Sequence, residues 1–130
     1  MTTLLLLFGL GCSTNPDAPP EVQFDHEACT HCGMLISEPR YAAALTRSDG
    51  KSVHFDDAGC LFRYVLAEHP SVRHMWFHGE GNVWLNESEV GFATGATTPM
   101  GSGLAAVPAG TAGAIGVGEA SGRALAGGHP

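Results

Sequence analysis

The sequence predicts an α+β fold, a small domain of β-β-α-β units in which antiparallel hairpins pack on short helices. A turn signal at 48–51 (Ser-Asp-Gly-Lys) separates the strand-like runs 40–46 and 52–55, which is typical of a hairpin. Apolar residues of helical period follow up to about Glu68, and a strong strand pattern occupies 72–78. These observations give one clear β-β-α-β unit.

The residues at both ends of the predicted helix support its position. Asp56 and Asp57 are suited to cap its N-terminus, a simpler interpretation than a general acid–base pair, and Pro70 stops it. Beyond this unit, apolar or alternating runs predict short strands at 22–25, 82–85 and 90–94.

A second, weaker unit is predicted near the C-terminus. Residues 105–117 align loosely with 53–65 as a strand, a turn of small residues and a helix. Residues 117–130 consist largely of Gly, Ala and Ser with almost no core-forming side chains. This composition predicts a loosely ordered tail.

The start of the chain resembles that of a bacterial envelope lipoprotein. Residues 4–11 form an apolar run, which is too short to span a bilayer, since a spanning helix needs about 20 residues. The run does fit the apolar part of a signal peptide over residues 1–11. The junction with Cys12 resembles a lipobox, in which the cysteine receives lipid; a buried strand or helix is the alternative. Residues 12–20 then form a flexible tether. Residues 21–127 form the domain, which we expect at the cell envelope, facing the periplasm from the outer membrane.

The charge balance excludes some partners. The chain of 130 residues has thirteen acidic and six basic residues, a net charge of −7, and no basic cluster. This argues against nucleic acid and against a polybasic membrane patch. The sequence also lacks an HExxH motif, a GxSxG elbow and a phosphate loop.

The cysteines indicate metal or redox chemistry. If Cys12 carries lipid, three of the four cysteines remain, and an odd number leaves at least one thiol unpaired. Cys29 and Cys32 form a CxxC knuckle, in which Gly33 relieves the tight backbone and Met34 adds a thioether. Such a sulfur-rich set suits a soft ion, above all Cu(I).

Other interpretations of this knuckle stay open. Its two cysteines could form a local disulfide in an oxidising compartment. They could also be a thioredoxin-type redox pair, although a glycine and a proline close behind leave little room for the helix that such a pair needs. A structural zinc site requires a second ligand pair, for which Cys60 and His54 are available without CxxC spacing. Separately, Met34 could simply be a core residue, which is the better interpretation for an isolated Met.

Residues outside the knuckle are further candidates. Met100 lies in a Gly-flanked loop, where a soft ligand and an ordinary loop residue are equally good interpretations. Cys60 falls on the apolar side of the predicted helix, which favours packing. His31 and His26 offer nitrogen donors at the knuckle. The histidines within strand patterns, expected to face solvent or an interface, are His54, His74 and His78.

Several motifs occur in an order that is similar to one known family. They are, along the chain, Cys29-x-x-Cys32-Gly33-Met34, Tyr41-Ala42-Ala43, Asp49-Gly50, Phe55-Asp56-Asp57, Pro99-Met100-Gly101-Ser102-Gly103 and Ser121-Gly122-Arg123-Ala124-Leu125. This set resembles the NosL family, the copper-binding accessory lipoproteins of nitrous oxide reductase maturation. The first half also resembles the YHS and TRASH metal-binding modules, which join such a knuckle to a second Cys-bearing turn before a helix; in this chain that turn is 55–60.

The NosL resemblance implies a Cu(I) metallochaperone without turnover. It implies Cys29 and Met100 as the first ligand candidates, then Cys32 and Met34, with His31 as a nitrogen donor. It also implies a lipid anchor, delivery of copper to a membrane transporter complex or to the reductase, and a metal near the junction of two β-β-α-β units. The alternatives are a thiol-disulfide oxidoreductase and a zinc-binding structural or interaction module.

Overall fold

The computed structural model describes residue 11 and residues 15–127, and within this part of the chain it is an α+β structure, as predicted. The elements in chain order are β1 (Ala43–Arg47), β2 (Ser52–Phe55), α1 (Ala58–Glu68), β3 (Val72–His78), β4 (Trp84–Asn86), β5 (Val90–Ala93), β6 (Ala105–Pro108) and α2 (Val117–Ala126). A 3₁₀ helix, Pro39–Tyr41, precedes β1. No helix among the described residues is long and apolar enough to cross a membrane.

The strands form two antiparallel sheets around one core. The larger sheet has the order β2-β1-β3-β4, and β5 pairs with β6 in a two-stranded ribbon. The side chains of Leu45, Phe55 and Phe77 are fully buried on one face of the larger sheet. Phe92 of the ribbon packs edge-on against Phe77, with 4.9 Å between ring centroids. The two sheets therefore share a single hydrophobic core.

The boundaries of α1 have clear local causes. Asp57 is the N-cap, and its carboxylate accepts a hydrogen bond of 2.8 Å from the backbone N–H of Gly59. At the other end His69 adopts a left-handed conformation, and its N–H bonds to the carbonyl of Val65 before Pro70 follows. The predicted helix up to Glu68 is therefore present. Of the two predicted caps, Asp57 alone performs that role.

The tail predicted to be loosely ordered differs in the structure, because residues 117–126 form α2. Ala120 and Ala124 lie one turn apart on one face of this helix and are buried. Small side chains allow a close approach to α1, where Arg63 donates a hydrogen bond of 2.9 Å to the carbonyl of Ala124. The buried face of α2 consists of alanines. A prediction based on large apolar residues therefore does not find this helix. Residues 128–130 lie outside the described residues.

Residues 15–27, which we call the N-terminal strap, cover the other face of the larger sheet. Asp17 forms a two-pronged ion pair with Arg73, at 2.8 and 3.1 Å, and contacts the Nε2 atom of His74 at 3.0 Å. Part of the predicted tether is thus docked on the sheet through paired charges. The predictions of a signal peptide and of a lipid on Cys12 depend on residues 1–10 and 12. These residues lie outside the part of the chain that the structure describes.

The strap also meets the other strand histidines. Glu27 pairs with the Nδ1 atom of His54 at 3.1 Å, and the ring of Phe24 contacts that of His78 edge-on, with 6.0 Å between centroids. The three strand histidines therefore face the strap. The strand expected at 22–25 is absent, since the chain turns there with Asp25 at a φ of 64°.

Candidate metal centre

The CxxC segment folds as a compact knuckle between the strap and β1. The N–H of Cys29 bonds to the carbonyl of Met34 at 2.7 Å, and the N–H of Gly33 bonds back to the carbonyl of Cys29 at 2.9 Å. Gly33 has a φ of 78°, a conformation that favours glycine over residues with a Cβ atom. A bridge between Ala28 and Leu35 closes the base of the knuckle.

The knuckle is attached to β2 from the side. The N–H of Thr30 bonds to the carbonyl of His54 at 2.9 Å, next to the contact between the carboxylate of Glu27 and the imidazole of His54. Because β2 runs directly into the turn before α1, this attachment brings the knuckle against Asp56 and the first turn of the helix. Cys60, in that first turn, is 1% exposed and points into the protein.

Four donor groups meet at this place. One ligand atom from each of Cys29, Cys32, Asp56 and Cys60 lies within 4.8 Å of all the others. The sulfur of Cys32 contacts both carboxylate oxygens of Asp56, at 3.4 and 3.5 Å. Cys32 is half-buried and the other three residues are buried. All three cysteines are free thiols.

Hydrogen bonds within the group lower the pKa of Cys29. The thiol of Cys60 donates to the sulfur of Cys29 and, with the backbone N–H groups of Cys32, Asp56 and His31, lowers the pKa of Cys29 to about 6 against the opposing effect of burial. The bond to Cys29, and burial, raise the pKa of Cys60. Burial is also the main reason that the pKa of Cys32 rises to about 11. Cys29 therefore loses its proton more readily than the other two thiols.

This arrangement can hold a metal ion. Thiolates are the ligands that soft and borderline ions prefer, and the mutual distances allow one ion to contact several of them. The four donors come from two chain segments, the knuckle and the turn from β2 into α1, so folding creates the site.

The structure brings together some of the predicted ligands. Cys29 and Cys32 belong to the donor group, as the knuckle predicts. Met34 has a 59% exposed side chain at the outer edge of the knuckle. The backbone N–H of His31 points towards the sulfur of Cys29, whereas its imidazole is not part of the donor group found within residues 15–127.

The loop that carries Met100 is seated on the start of α1. The N–H of Met100 donates a hydrogen bond of 2.9 Å to the carboxylate of Asp57, and the half-buried side chain packs against the core. The loop approaches so closely that a Cβ atom on Gly59 would lie 2.8 Å from the Cβ atom of Ser102. Met100 therefore lies beside the turn that supplies Asp56 and Cys60.

Two members of the donor group, Asp56 and Cys60, are predicted from sequence chiefly as a helix cap and a core residue, with Cys60 also available as a zinc ligand. Cys60 does lie on the buried side of α1, but the cap prediction is wrong for Asp56, because Asp57 is the N-cap. The available signal was the resemblance of residues 55–60 to the Cys-bearing turn of YHS and TRASH modules. The resemblance alone does not place these residues together; the attachment of the knuckle to β2 brings its cysteines close to Asp56 and Cys60.

Two concave surfaces lie elsewhere, along the strap, with volumes of about 330 and 400 Å³. None of the three cysteines that the structure describes lines either of them. A metal site requires converging donors rather than a large cavity, so the donor group remains the candidate.

No protein-family model, no curated protein and no solved structure matches this chain. The resemblance to the NosL family therefore remains a prediction from the motif residues.

Proposed function

We propose that this protein is a Cu(I) metallochaperone of the bacterial cell envelope. The observation that carries the proposal is the convergence of three thiols, from Cys29, Cys32 and Cys60, in a largely buried group. The NosL resemblance adds the destination: a membrane transporter complex, or the reductase itself, in nitrous oxide reductase maturation. A lipid at Cys12 would keep the protein at the membrane.

Cu(I) fits the sulfur donors for a chemical reason. It is a soft ion that prefers thiolate and thioether ligands. Cys29 has the lowest pKa of the three thiols and is the first anion available to the ion. The thioether of Met100, beside the same helix start, is our candidate for an additional soft donor.

Release of copper to an acceptor requires an open side of the site. Cys32 is more exposed than Cys29 and Cys60, and it is followed by the exposed side chains of Met34 and Leu35. We propose that a ligand of the acceptor approaches from this edge and displaces the sulfurs one at a time. The buried pair would hold the ion until exchange begins.

The proposal is tested by titrating the reduced protein with Cu(I) under anaerobic conditions against a chromophoric Cu(I) chelator. Cys29→Ser and Cys60→Ser should each weaken binding by on the order of tenfold or more, because a hydroxyl is a poor ligand for a soft ion. Met100→Leu should do the same if the thioether binds. Met75→Leu is the matched control, since Met75 is half-buried in β3 and lies outside the donor group.

Wild-type affinity retained in both cysteine variants would overturn the site. Retained affinity in Met100→Leu alone would remove Met100 from it.

Thiol-disulfide exchange is the second candidate, because a thiol with a pKa of about 6 is a good nucleophile. In the structure, however, the knuckle consists of turns, and no helix within residues 15–127 begins at Cys29. The thiolate is stabilised instead by Cys60 and the knuckle amides. Insulin reduction distinguishes the two functions: an oxidoreductase accelerates it, and a metallochaperone does not.

A further inference from the structure

Asp56 is a buried carboxylate with an unusual partner. It is 2% exposed, and among the hydrogen bonds of residues 15–127 its carboxylate accepts from the thiol of Cys32 alone. A thiol is a weak donor. The adjacent Asp57 differs, because both of its oxygens accept backbone N–H groups, those of Gly59 and Met100. Asp57 is thus committed to the fold, and Asp56 is free to bind something else.

Metal binding changes the situation of Asp56. When Cys32 becomes a thiolate ligand, its S–H bond to the carboxylate is lost, and a buried carboxylate without a donor is unfavourable. A monovalent ion held by three thiolates leaves this carboxylate beside an anionic complex. A divalent ion compensates more charge and accepts an oxygen ligand in a fourth position.

We infer that the site also binds Zn²⁺, with Asp56 as the fourth ligand beside Cys29, Cys32 and Cys60. Three sulfurs and one oxygen, already within 4.8 Å of one another, match the four-coordinate preference of Zn²⁺. Cu(I) would use the sulfurs alone. Asp56 is therefore the residue that sets the relative affinity for the two ions. This inference uses the proposed metal site but does not depend on copper being its cargo.

The test compares the two ions in one variant. Asp56→Asn should weaken Zn²⁺ binding by on the order of tenfold or more, measured by competition with a chromophoric zinc chelator, while Cu(I) affinity stays within about threefold. The near-isosteric amide keeps the shape of the buried side chain. Circular dichroism of the metal-free variant checks that the fold is retained.

A second variant keeps the test decisive if the amide disturbs folding. Asp56→Cys replaces the oxygen ligand by sulfur, so zinc-edge X-ray absorption should change from three sulfurs and one oxygen to four sulfurs, with tight Zn²⁺ binding retained. A wild-type zinc site without an oxygen ligand, or equal losses of both ions in Asp56→Asn, would overturn the inference. Tight Zn²⁺ binding by a wild-type protein that fails to bind Cu(I) would instead support it and overturn the proposed function.

Discussion

The molecule contains two hairpin–helix segments, β1–β2–α1 and β5–β6–α2, whose contributions differ. In the first, β2 runs through two buried acids directly into a helix that carries Cys60. In the second, residues 109–116 separate the hairpin from a helix whose buried residues are alanines. The same order of elements thus contributes possible metal ligands in the first segment and packing residues in the second. The difference lies in the turn before the helix.

The second segment contacts the start of α1 through its loop. Met100 lies in the connection between β5 and β6, and this connection bonds to Asp57 at the start of α1. Of the weak internal repeat predicted at 105–117, the strand is present as β6, but no helix lies within it, because α2 begins only at Val117. Four tests can break or refine this comparison, and their expected effects decrease from a core substitution to a helix cap.

The strongest test asks whether the two segments fold as one. Phe92→Ala should lower the free energy of unfolding by about 3–5 kcal/mol, because Phe92 is fully buried between Phe62 and Phe77. Urea unfolding followed by tryptophan fluorescence and by circular dichroism should give one coincident transition. Leu66→Ala, at an exposed position of α1, is the control with a change within about 0.5 kcal/mol. Two separate transitions would show that the segments are independent.

The cap of α1 tests the link between the segments. Asp57→Ala should cost about 2–3 kcal/mol, since it removes the acceptor for both Gly59 and Met100. Hydrogen exchange should show loss of protection at the amide of Met100. Asp57→Asn, which keeps one acceptor oxygen, should lose less stability. Unchanged exchange at Met100 would separate the loop from the helix cap.

The strap covers the sheet of the first segment and gives it a pH dependence. Hydrogen bonds that the His74 ring donates to Asp17 and, secondly, to Glu87 raise the pKa of His74 above its ordinary 6.5. The contact of His74 with Asp17 and Glu87 therefore stabilises the fold below about pH 6.5. This stabilisation is lost as the pH rises through the raised pKa of His74. Bonds from Arg73 and His74 lower the pKa of Asp17 from 3.8 to about 2, so its contribution is lost as the pH falls from about 4 towards 2.

An NMR titration of the histidine rings measures this effect. The pKa of His74 should fall in Asp17→Asn, because the substitution removes the carboxylate that accepts from its Nε2 atom. If the pKa of His74 is the same in Asp17→Asn as in the wild type, the strap does not contact β3 in solution.

The smallest effect is expected at α2, whose N-cap is Gly116 without a side-chain bond. Gly116 has an extended backbone and free space at its Cβ position. Gly116→Asp should therefore stabilise the protein by roughly 0.5 kcal/mol through a capping bond and the helix dipole, measured by thermal unfolding. A loss of stability would show that this helix start is constrained in a way that α1 is not.

Elements with local signals could be predicted from the amino-acid sequence. The hairpin turn, the helix between Asp57 and Pro70, the strand at 72–78 and the cysteine knuckle each follow from neighbouring residues, and the structure contains all of them. Alternation, capping and turn chemistry act over a few residues, so they can be identified without knowledge of the fold.

Tertiary structure decided which of these residues meet. Asp56 and Cys60 become partners of the knuckle only because β2 holds the knuckle beside the start of α1. The tether residues form a strap because Arg73 and His74 lie on the neighbouring sheet and pair with Asp17. The alanine-rich tail forms a helix because its small side chains pack closely against α1. Ligand convergence and burial depend on contacts between distant segments, and no local pattern encodes them.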